Sequence, residues 1–246
     1  ILETKFIGKN YIFFEEIDST NNYLKNNEFE EGTVVVAETQ TAGKGRKGRK
    51  WVSIKGKGIY FSILLKPKIP VSEILRFSLI FPLAVHKTIL DFEIQAKIKW
   101  PNDIYINGKK TAGILTETDI EGNEINKAVV GIGININHVI NDLKEIQDIA
   151  TSLSIEKKEK INRKLFLLKL LENIEKNYFS FLKKQIDPVK EVEKNMLWIN
   201  KKVLLIDDKN KIEGILKGLN EFGGVRIIAN SKIIDLYNGD LTIRHI

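Results

Sequence analysis

Apolar residues follow two kinds of spacing along the chain, and together these predict a mixed fold of strands and helices. Runs of β-branched and aromatic residues predict strands at 11–17, 33–38, 59–66, 97–100, 112–118 and 127–136. Capping side chains at 18–21 predict a short helix that ends near residue 25. Helical spacing predicts longer helices at 72–91, 162–182 and 188–197. Pro82 lies inside the first of these and is expected to kink or split it.

The pattern changes after Trp198 to short strands separated by turn residues. These strands are predicted at 203–207, 212–219, 224–229 and 232–234, with turns at 208–210, 220–224 and 238–239. A segment this short is too small to be very stable alone, so we predict a small β-barrel docked on the main domain. The expected domains are 1–198 and 199–246, and the fold class is α+β with a mixed β-sheet flanked by helices.

Composition excludes several classes of protein. The 246 residues contain no cysteine, which excludes disulfides and thiolate metal sites. The three histidines are far apart and form no metal-ligand spacing, so we predict no metal site. No apolar run approaches the roughly 20 residues of a membrane helix, and the N-terminus has no signal-peptide pattern. We therefore expect a cytoplasmic protein without a membrane partner.

A formal net charge of +7 raises the possibility of a nucleic-acid-binding module. Much of the excess lies in a glycine-rich loop at 44–57 and in a predicted amphipathic helix at 157–184, where acidic residues are interspersed. Neither segment resembles a helix-turn-helix or a zinc finger. We interpret the charge as a lysine-rich solvated surface and predict no nucleic-acid partner.

The loop at 40–51 combines closely spaced glycines with basic residues and ends in Trp51. Such glycines let the backbone turn its N–H groups toward an anion. Arg46 and Arg49 add planar, permanently charged donors that suit phosphate oxygens, and Trp51 offers a flat face to a base or ring. The loop departs from the usual phosphate-loop pattern, because no Ser or Thr follows a closing Gly-Lys. A flexible basic surface loop is the alternative reading.

Two further stretches carry candidate chemistry. Lys-Trp-Pro-Asn-Asp at 99–103 places Asn102 and Asp103 at a strand end, where they bind a ligand or merely cap a turn. Lys110 precedes an apolar strand, so its amine could lie at the entrance of a pocket. At 129–137 two glycines alternate, so Gly131 and Gly133 lie on one face of a strand. The two missing side chains leave a slot on that face. Alternatively, the glycines mark a β-bulge or close packing against a helix.

These motifs, in this order, resemble the biotin–protein ligase family from about residue 14 to 136. The matching runs are Asp-Ser-Thr-Asn at 18–21, the glycine–basic loop, Lys-Trp-Pro-Asn-Asp, Lys-x-Ala-Gly-Ile-Leu at 110–115 and Gly-x-Gly-x-Asn at 131–135. The resemblance implies a class II aminoacyl-tRNA synthetase-like ligase fold with an SH3-like C-terminal barrel. Ser19 lies almost at the start, so we expect the short form without an N-terminal DNA-binding domain.

The resemblance also implies roles for individual residues. The biotin-binding residues it implies are Ser19, Thr20, Asn21, Gln40, Gly43, Lys44, Gly45, Arg46, Lys110, Gly113, Gly131 and Gly133. The residues it implies at ATP or the adenylate are Arg46, Arg49, Trp51, Asn102, Lys110 and Asn135. The implied catalytic groups are Arg46, Lys110 and Asp103. Lys44 departs from the family's usual arginine, which keeps the charge but loses the bidentate fork.

The implied reaction joins biotin to AMP from ATP, with Mg²⁺ on the phosphates, and then passes biotin to a lysine of a carrier protein. The partner would be a biotin carboxyl carrier protein or carrier domain, and a homodimer is plausible from the family. We expect the loops at 41–51 and 138–148 to order over the ligand. The nearest alternative is a lipoate–protein ligase or octanoyl transferase.

Overall fold

The structure, a computed structural model, describes residues 2–206 and 211–237, and the backbone alone of 242–245. Eight strands form the main sheet in the order β1-β2-β3-β8-β7-β6-β5, with β4 paired to the outer part of β8. β1 and β2 are parallel, whereas the other neighbours are antiparallel. These strands are β1 (Tyr11–Ile17), β2 (Val34–Gln40), β3 (Gly58–Leu65), β4 (Ile69–Pro70), β5 (Lys97–Lys99), β6 (Asp103–Ile106), β7 (Lys109–Glu121) and β8 (Glu124–Asn135).

Helices cover both faces of this sheet. They are α1 (Thr20–Asn26), α2 (Ile74–Asp91), α3 (Leu153–Lys157), α4 (Arg163–Leu182) and α5 (Pro188–Asn195). The main core packs α2 and α4 against one face. A smaller cluster on the other face joins Leu24 of α1 to Val35, Leu64 and Val129. β3 is buried along its whole length because it has a helix on each side, which explains its unbroken apolar sequence.

Side-chain caps begin α1 and α4, and the cap of α1 was predicted. Ser19 caps α1 by accepting a hydrogen bond from the Asn22 N–H at 3.4 Å, and Asn162 caps α4 by accepting from Leu165 at 3.0 Å. Asn107 and Gly108 both have positive φ and form the hairpin turn between β6 and β7, as Asn-Gly pairs commonly do.

Two expectations about the main domain need correction. Pro82 does not split its helix, because α2 runs unbroken from Ile74 to Asp91, and the alternative of a kink stays a prediction. Pro82 is itself buried, so packing against the core offsets the hydrogen bond that proline cannot donate. The short strand β6 was not predicted, since Asp103 was read as the end of a turn; it is the first residue of that strand.

The C-terminal strands form a five-stranded antiparallel sheet in the order β12-β11-β10-β9-β13, which agrees with the predicted small β unit. They are β9 (Lys202–Ile206), β10 (Lys211–Leu219), β11 (Val225–Ala229), β12 (Lys232–Leu236) and β13 (Thr242–His245). β13 was not predicted. The predicted turns at 208–210 and 238–239 lie outside the described residues.

This C-terminal sheet is docked on the main domain, as predicted. The Trp100 indole N–H donates to the Gly223 carbonyl at 3.0 Å, and the Leu219 N–H donates to the Glu193 carboxylate at 2.6 Å. Val203 and Leu216 belong to the same hydrophobic core as α2 and α4. The boundary near 198 stays a prediction, because the core is continuous across it. Within the described ranges no helix is long and apolar enough to cross a membrane.

Candidate active site

A cleft with a cavity volume of about 620 Å³ opens between the glycine–basic loop, the β5–β6 turn and the segment that follows β8. Every residue predicted at the nucleotide end lines it. These residues are Arg46, Arg49, Trp51, Asn102, Lys110 and Asn135, with Asp103 beside them. The three stretches singled out in the sequence therefore meet at one place.

A smaller pocket of about 50 Å³ adjoins this cleft, and Trp51 and Lys110 line both. Its lining contains the residues predicted around the biotin head group, namely Ser19, Thr20, Asn21, Gln40, Lys44, Gly45, Gly113, Gly131 and Gly133. Gly43 and Arg46, which were also predicted at biotin, do not line this pocket. Arg46 lines the large cleft, and the Gly43 carbonyl accepts a hydrogen bond from the Trp51 N–H at 2.9 Å. The space holds little more than a water molecule or two, so a larger ligand must move a side chain.

The side chain that fills the slot is Trp51. Gly113 of β7 lies directly opposite Gly133 of β8 in the sheet. A Cβ atom on Gly133 would overlap the Trp51 indole, and one on Gly113 would lie 3.0 Å from both that ring and Lys110 Nζ. The slot predicted at Gly131 and Gly133 is therefore filled by side chains, with the Trp51 indole at Gly133 and the Asn21 amide at Gly131. The buried indole N–H has no hydrogen-bond partner among the described residues, so ligand entry can displace the ring without breaking a hydrogen bond.

Lys110 stands at the junction of the two pockets. Its ammonium forms an ion pair with Asp103 at 2.6 Å and lies 5.4 Å from the centre of the Trp51 ring. Its backbone is held from the other side, because its N–H donates to Ile149 and its carbonyl accepts from Thr151, both at 2.9 Å. A lysine fixed in this way can place one positive charge between a ligand in the small pocket and a ligand in the large cleft.

Arg46 approaches the same place from the loop. Its guanidinium donates to the Asn102 side-chain oxygen at 3.0 Å, and Asn102 in turn donates to the Ile114 carbonyl at 2.5 Å. At the base of the loop, the backbones of Lys44 and Lys50 pair as a single antiparallel β-bridge. Lys44, which departs from the family's arginine, reaches back to Asn22 with its ammonium 3.2 Å from that side-chain oxygen. Arg46 thus supplies a second cation to the cleft, while Lys44 lies against α1.

Three residues of the site were missed in the sequence. Ser62 of β3 and Glu117 of β7 both contact the Asn21 side chain beneath the small pocket. The Ser62 hydroxyl is 2.5 Å from the Asn21 side-chain oxygen, and the Glu117 carboxylate is 2.8 Å from the Asn21 side-chain nitrogen. A serine inside an otherwise apolar strand was the available signal for Ser62. His138 lines the large cleft, where it lies 3.3 Å from the Tyr60 hydroxyl and its Nδ1 has no partner among the described residues.

Burial lowers the pKa of His138 to about 4, although nearby Asp142 opposes the shift. The unfolded chain takes up this proton near the ordinary value of 6.5, whereas the folded protein resists it until about pH 4. The free energy of unfolding should therefore fall as pH drops through this window. We expect wild type to lose about 2 kcal/mol more than His138→Phe between pH 7 and 4.5. Urea titrations measure this, and parallel losses in both proteins would show that His138 titrates normally.

Metal ligands are not clustered in this part of the molecule. Among the described residues no group of three or more His, Cys, Asp or Glu side chains is placed to hold a metal ion. The nearest carboxylate to the junction, Asp103, is engaged by Lys110.

Known proteins share this fold, and a family model matches the part of the chain that carries these motifs. The model of the biotin/lipoate A/B protein ligase family matches residues 13–135. The chain is 37% identical to the bifunctional ligase/repressor BirA of Bacillus subtilis over 98% of this chain and 76% of that protein. The structure of biotin protein ligase from Aquifex aeolicus in complex with biotin and ATP is 37% identical, with a TM-score of 0.84, and covers 97% of this chain and 100% of that one.

The fold is also shared with more distant proteins. Biotin protein ligase from Leishmania major, in complex with biotinyl-5-AMP, superposes with a TM-score of 0.60 at 23% identity, and this likeness shows the fold alone. Fold and site together define a protein ligase. The chain belongs to the biotin/lipoate A/B protein ligase family.

Proposed function

We propose that this protein is an ATP-dependent biotin–protein ligase, which forms biotinyl-5′-AMP and then transfers biotin to a lysine of a carrier protein. The observation that carries the proposal is that Lys110 lines both the large cleft and the small pocket, while Arg46 lines the same large cleft. The named ligands of the Aquifex aeolicus relative, biotin and ATP, support it. Under this proposal the small pocket takes the biotin head group and the cleft takes the nucleotide.

The first step needs positive charge at the junction. The biotin carboxylate attacks the α-phosphorus of ATP, a new O–P bond forms, and pyrophosphate leaves with the electrons of the broken bond. Negative charge grows on the phosphoryl oxygens during attack. We propose that Lys110 and Arg46, which both line the large cleft, stabilise this charge. Magnesium stays a prediction and is expected to enter as MgATP, since Mg²⁺ commonly takes its ligands from substrate phosphates and water.

The second step needs a neutral amine. The carrier lysine attacks the mixed anhydride and AMP leaves. Asp103 lies at the same junction, so we propose that it orients the incoming amine or accepts its proton. The carrier is proposed to be a biotin carboxyl carrier protein or a carrier domain, and a homodimer stays a prediction.

The remaining roles follow from position. Arg49, Asn102 and Asn135 line the large cleft and are proposed to bind the nucleotide. Trp51 borders both pockets, so its proposed place against adenine requires the ring to leave the glycine slot. Gly45 and Lys44 line the small pocket as part of the loop that we expect to close over biotin.

The test is transfer to a carrier. The protein is incubated with MgATP, a biotin carboxyl carrier domain, and either biotin or lipoic acid, and the carrier is weighed by mass spectrometry. We expect the mass increase of biotinylation on one lysine and no lipoyl increase. Modification by lipoic acid in preference to biotin would favour the lipoate ligase alternative. An unmodified carrier in both mixtures would contradict ligase activity on that carrier.

A further inference from the structure

A chain of short hydrogen bonds runs beneath the small pocket from Glu117 to Thr20. Glu117 Oε2 accepts from the Asn21 amide at 2.8 Å, and Asn21 Oδ1 lies 2.5 Å from the Ser62 hydroxyl. The Ser62 hydroxyl is 2.6 Å from that of Thr20, which borders the pocket. Strand register builds this chain, because Ser62 of β3 lies opposite Gly131 of β8, where a Cβ atom would overlap Asn21.

Glu117 is ionised in this environment. Burial by itself would raise its pKa, but the Asn21 amide and the Lys25 ammonium hold that pKa below its ordinary value. Lys25 Nζ is 2.7 Å from Glu117 Oε1. An ionised carboxylate can only accept hydrogen bonds, so the Asn21 atom that faces it must be the amide nitrogen.

The direction of every following bond is then determined. With its nitrogen on Glu117, Asn21 presents its oxygen to Ser62, and Ser62 must donate. A hydroxyl carries one hydrogen, so Ser62 in turn accepts from Thr20. The Thr20 hydroxyl has two acceptors within reach, Ser62 at 2.6 Å and the Gln40 side-chain oxygen at 3.1 Å. Because Ser62 can only accept here, the one hydrogen of Thr20 goes to this shorter contact, and the rest of the hydroxyl can only accept. The Gln40 side-chain oxygen is meanwhile satisfied by the Thr20 backbone N–H at 2.9 Å.

We propose that Glu117 is a positioning residue, which fixes the direction of this hydrogen-bond chain so that the Thr20 hydroxyl accepts a hydrogen bond from an N–H group of the bound head group. The inference rests on the proposed function and deepens it. A urea-type ring supplies such an N–H. A dithiolane or alkyl head does not, so it would leave a buried acceptor unpaired, which is unfavourable. Glu117 would thereby select for biotin over lipoate without touching either.

The variant Glu117→Gln tests the direction of the chain with almost no change of shape. Lys25 requires an acceptor, so the new side chain turns its oxygen to Lys25 and its nitrogen to Asn21. Asn21 must then flip, so Ser62 donates to Thr20. This bond fills one of the two Thr20 lone pairs and frees the Thr20 hydrogen, so the hydroxyl loses acceptor capacity toward the pocket. We expect affinity for biotin to fall about tenfold, with KM raised and kcat at saturating biotin unchanged.

A second substitution separates direction from mere packing. In Glu117→Gln/Lys25→Met the ammonium that holds the glutamine oxygen is gone, so the glutamine can again accept from Asn21. We expect biotin affinity to recover toward wild type. If Glu117 had only a structural role, removing a second partner would weaken binding further. Asp119→Asn is the matched control, because it removes an exposed carboxylate on the same face of β7, and it should bind like wild type.

Calorimetric titration of each full-length variant with biotin measures these affinities, and adenylation kinetics give KM and kcat. The inference is overturned if Glu117→Gln binds within twofold of wild type, or if the Lys25→Met addition weakens binding further. In either case a wild type that forms biotinyl-AMP leaves the proposed function standing. A wild type that does not bind biotin would overturn both.

Discussion

Replacement of Lys110 by alanine should lower the rate of biotinyl-AMP formation by about 100-fold or more, as expected for loss of a preorganised donor at the reacting phosphate. The large effect follows from position, because Lys110 lines both the small pocket and the large cleft. Its backbone is held by hydrogen bonds to Ile149 and Thr151, which fix the point from which its side chain extends. Pyrophosphate release in a single turnover with biotin and MgATP measures the rate.

Lys109→Ala provides the matched control for this variant. Lys109 is the adjacent residue, but its ammonium donates to the Gln147 carbonyl at 2.6 Å and does not line either pocket. Its removal should leave the rate near that of wild type. Adenylation by Lys110→Ala at a rate similar to the control would show that the charge of Lys110 is not used in the first step.

Asp103→Asn should slow transfer of biotin from preformed biotinyl-AMP by about 100-fold, the lower range for loss of a general base. Asparagine keeps an oxygen that can accept from Lys110, which Asp103 now contacts at 2.6 Å, so the junction should retain its shape. The first step should therefore be affected much less than the second. Mixing the variant with preformed adenylate and carrier isolates transfer.

The comparison for this variant is Asp142→Asn. Asp142 also lines the large cleft, but it is paired with Lys57 at 3.1 Å instead of Lys110. Its variant should transfer biotin normally. If Asp103→Asn also transferred normally, Asp103 would be limited to holding Lys110, and the amine would have to lose its proton to another group.

Local sequence patterns were sufficient for most elements of this fold. The apolar stripe of α4, the capping residues Ser19 and Asn162, and the Asn107–Gly108 turn each act within a few residues, so they can be read from the chain. β6 was missed because its four residues are too few to show a period. A split at Pro82 was wrong because the sequence does not show how strongly packing holds the helix on both sides of it.

The candidate site divides in the same way. Motifs identified the stretches that meet at the cleft, since each combines glycine or proline with charged side chains in a recognisable order. Ser62 and Glu117 act through Asn21, which lies 41 and 96 residues away, and no local pattern encodes such partners. The packing of Trp51 against Gly133 likewise depends on how the loop folds back onto β8.

The most direct test of the account is whether the junction of the two pockets makes a mixed anhydride. The full chain is mixed with biotin and MgATP, desalted, and examined by native mass spectrometry, with an ATP analogue carrying a methylene bridge between the α- and β-phosphorus as control. We predict that the protein retains one biotinyl-AMP after ATP and none after the analogue. Retention of biotin and ATP as separate, unreacted ligands would contradict the account.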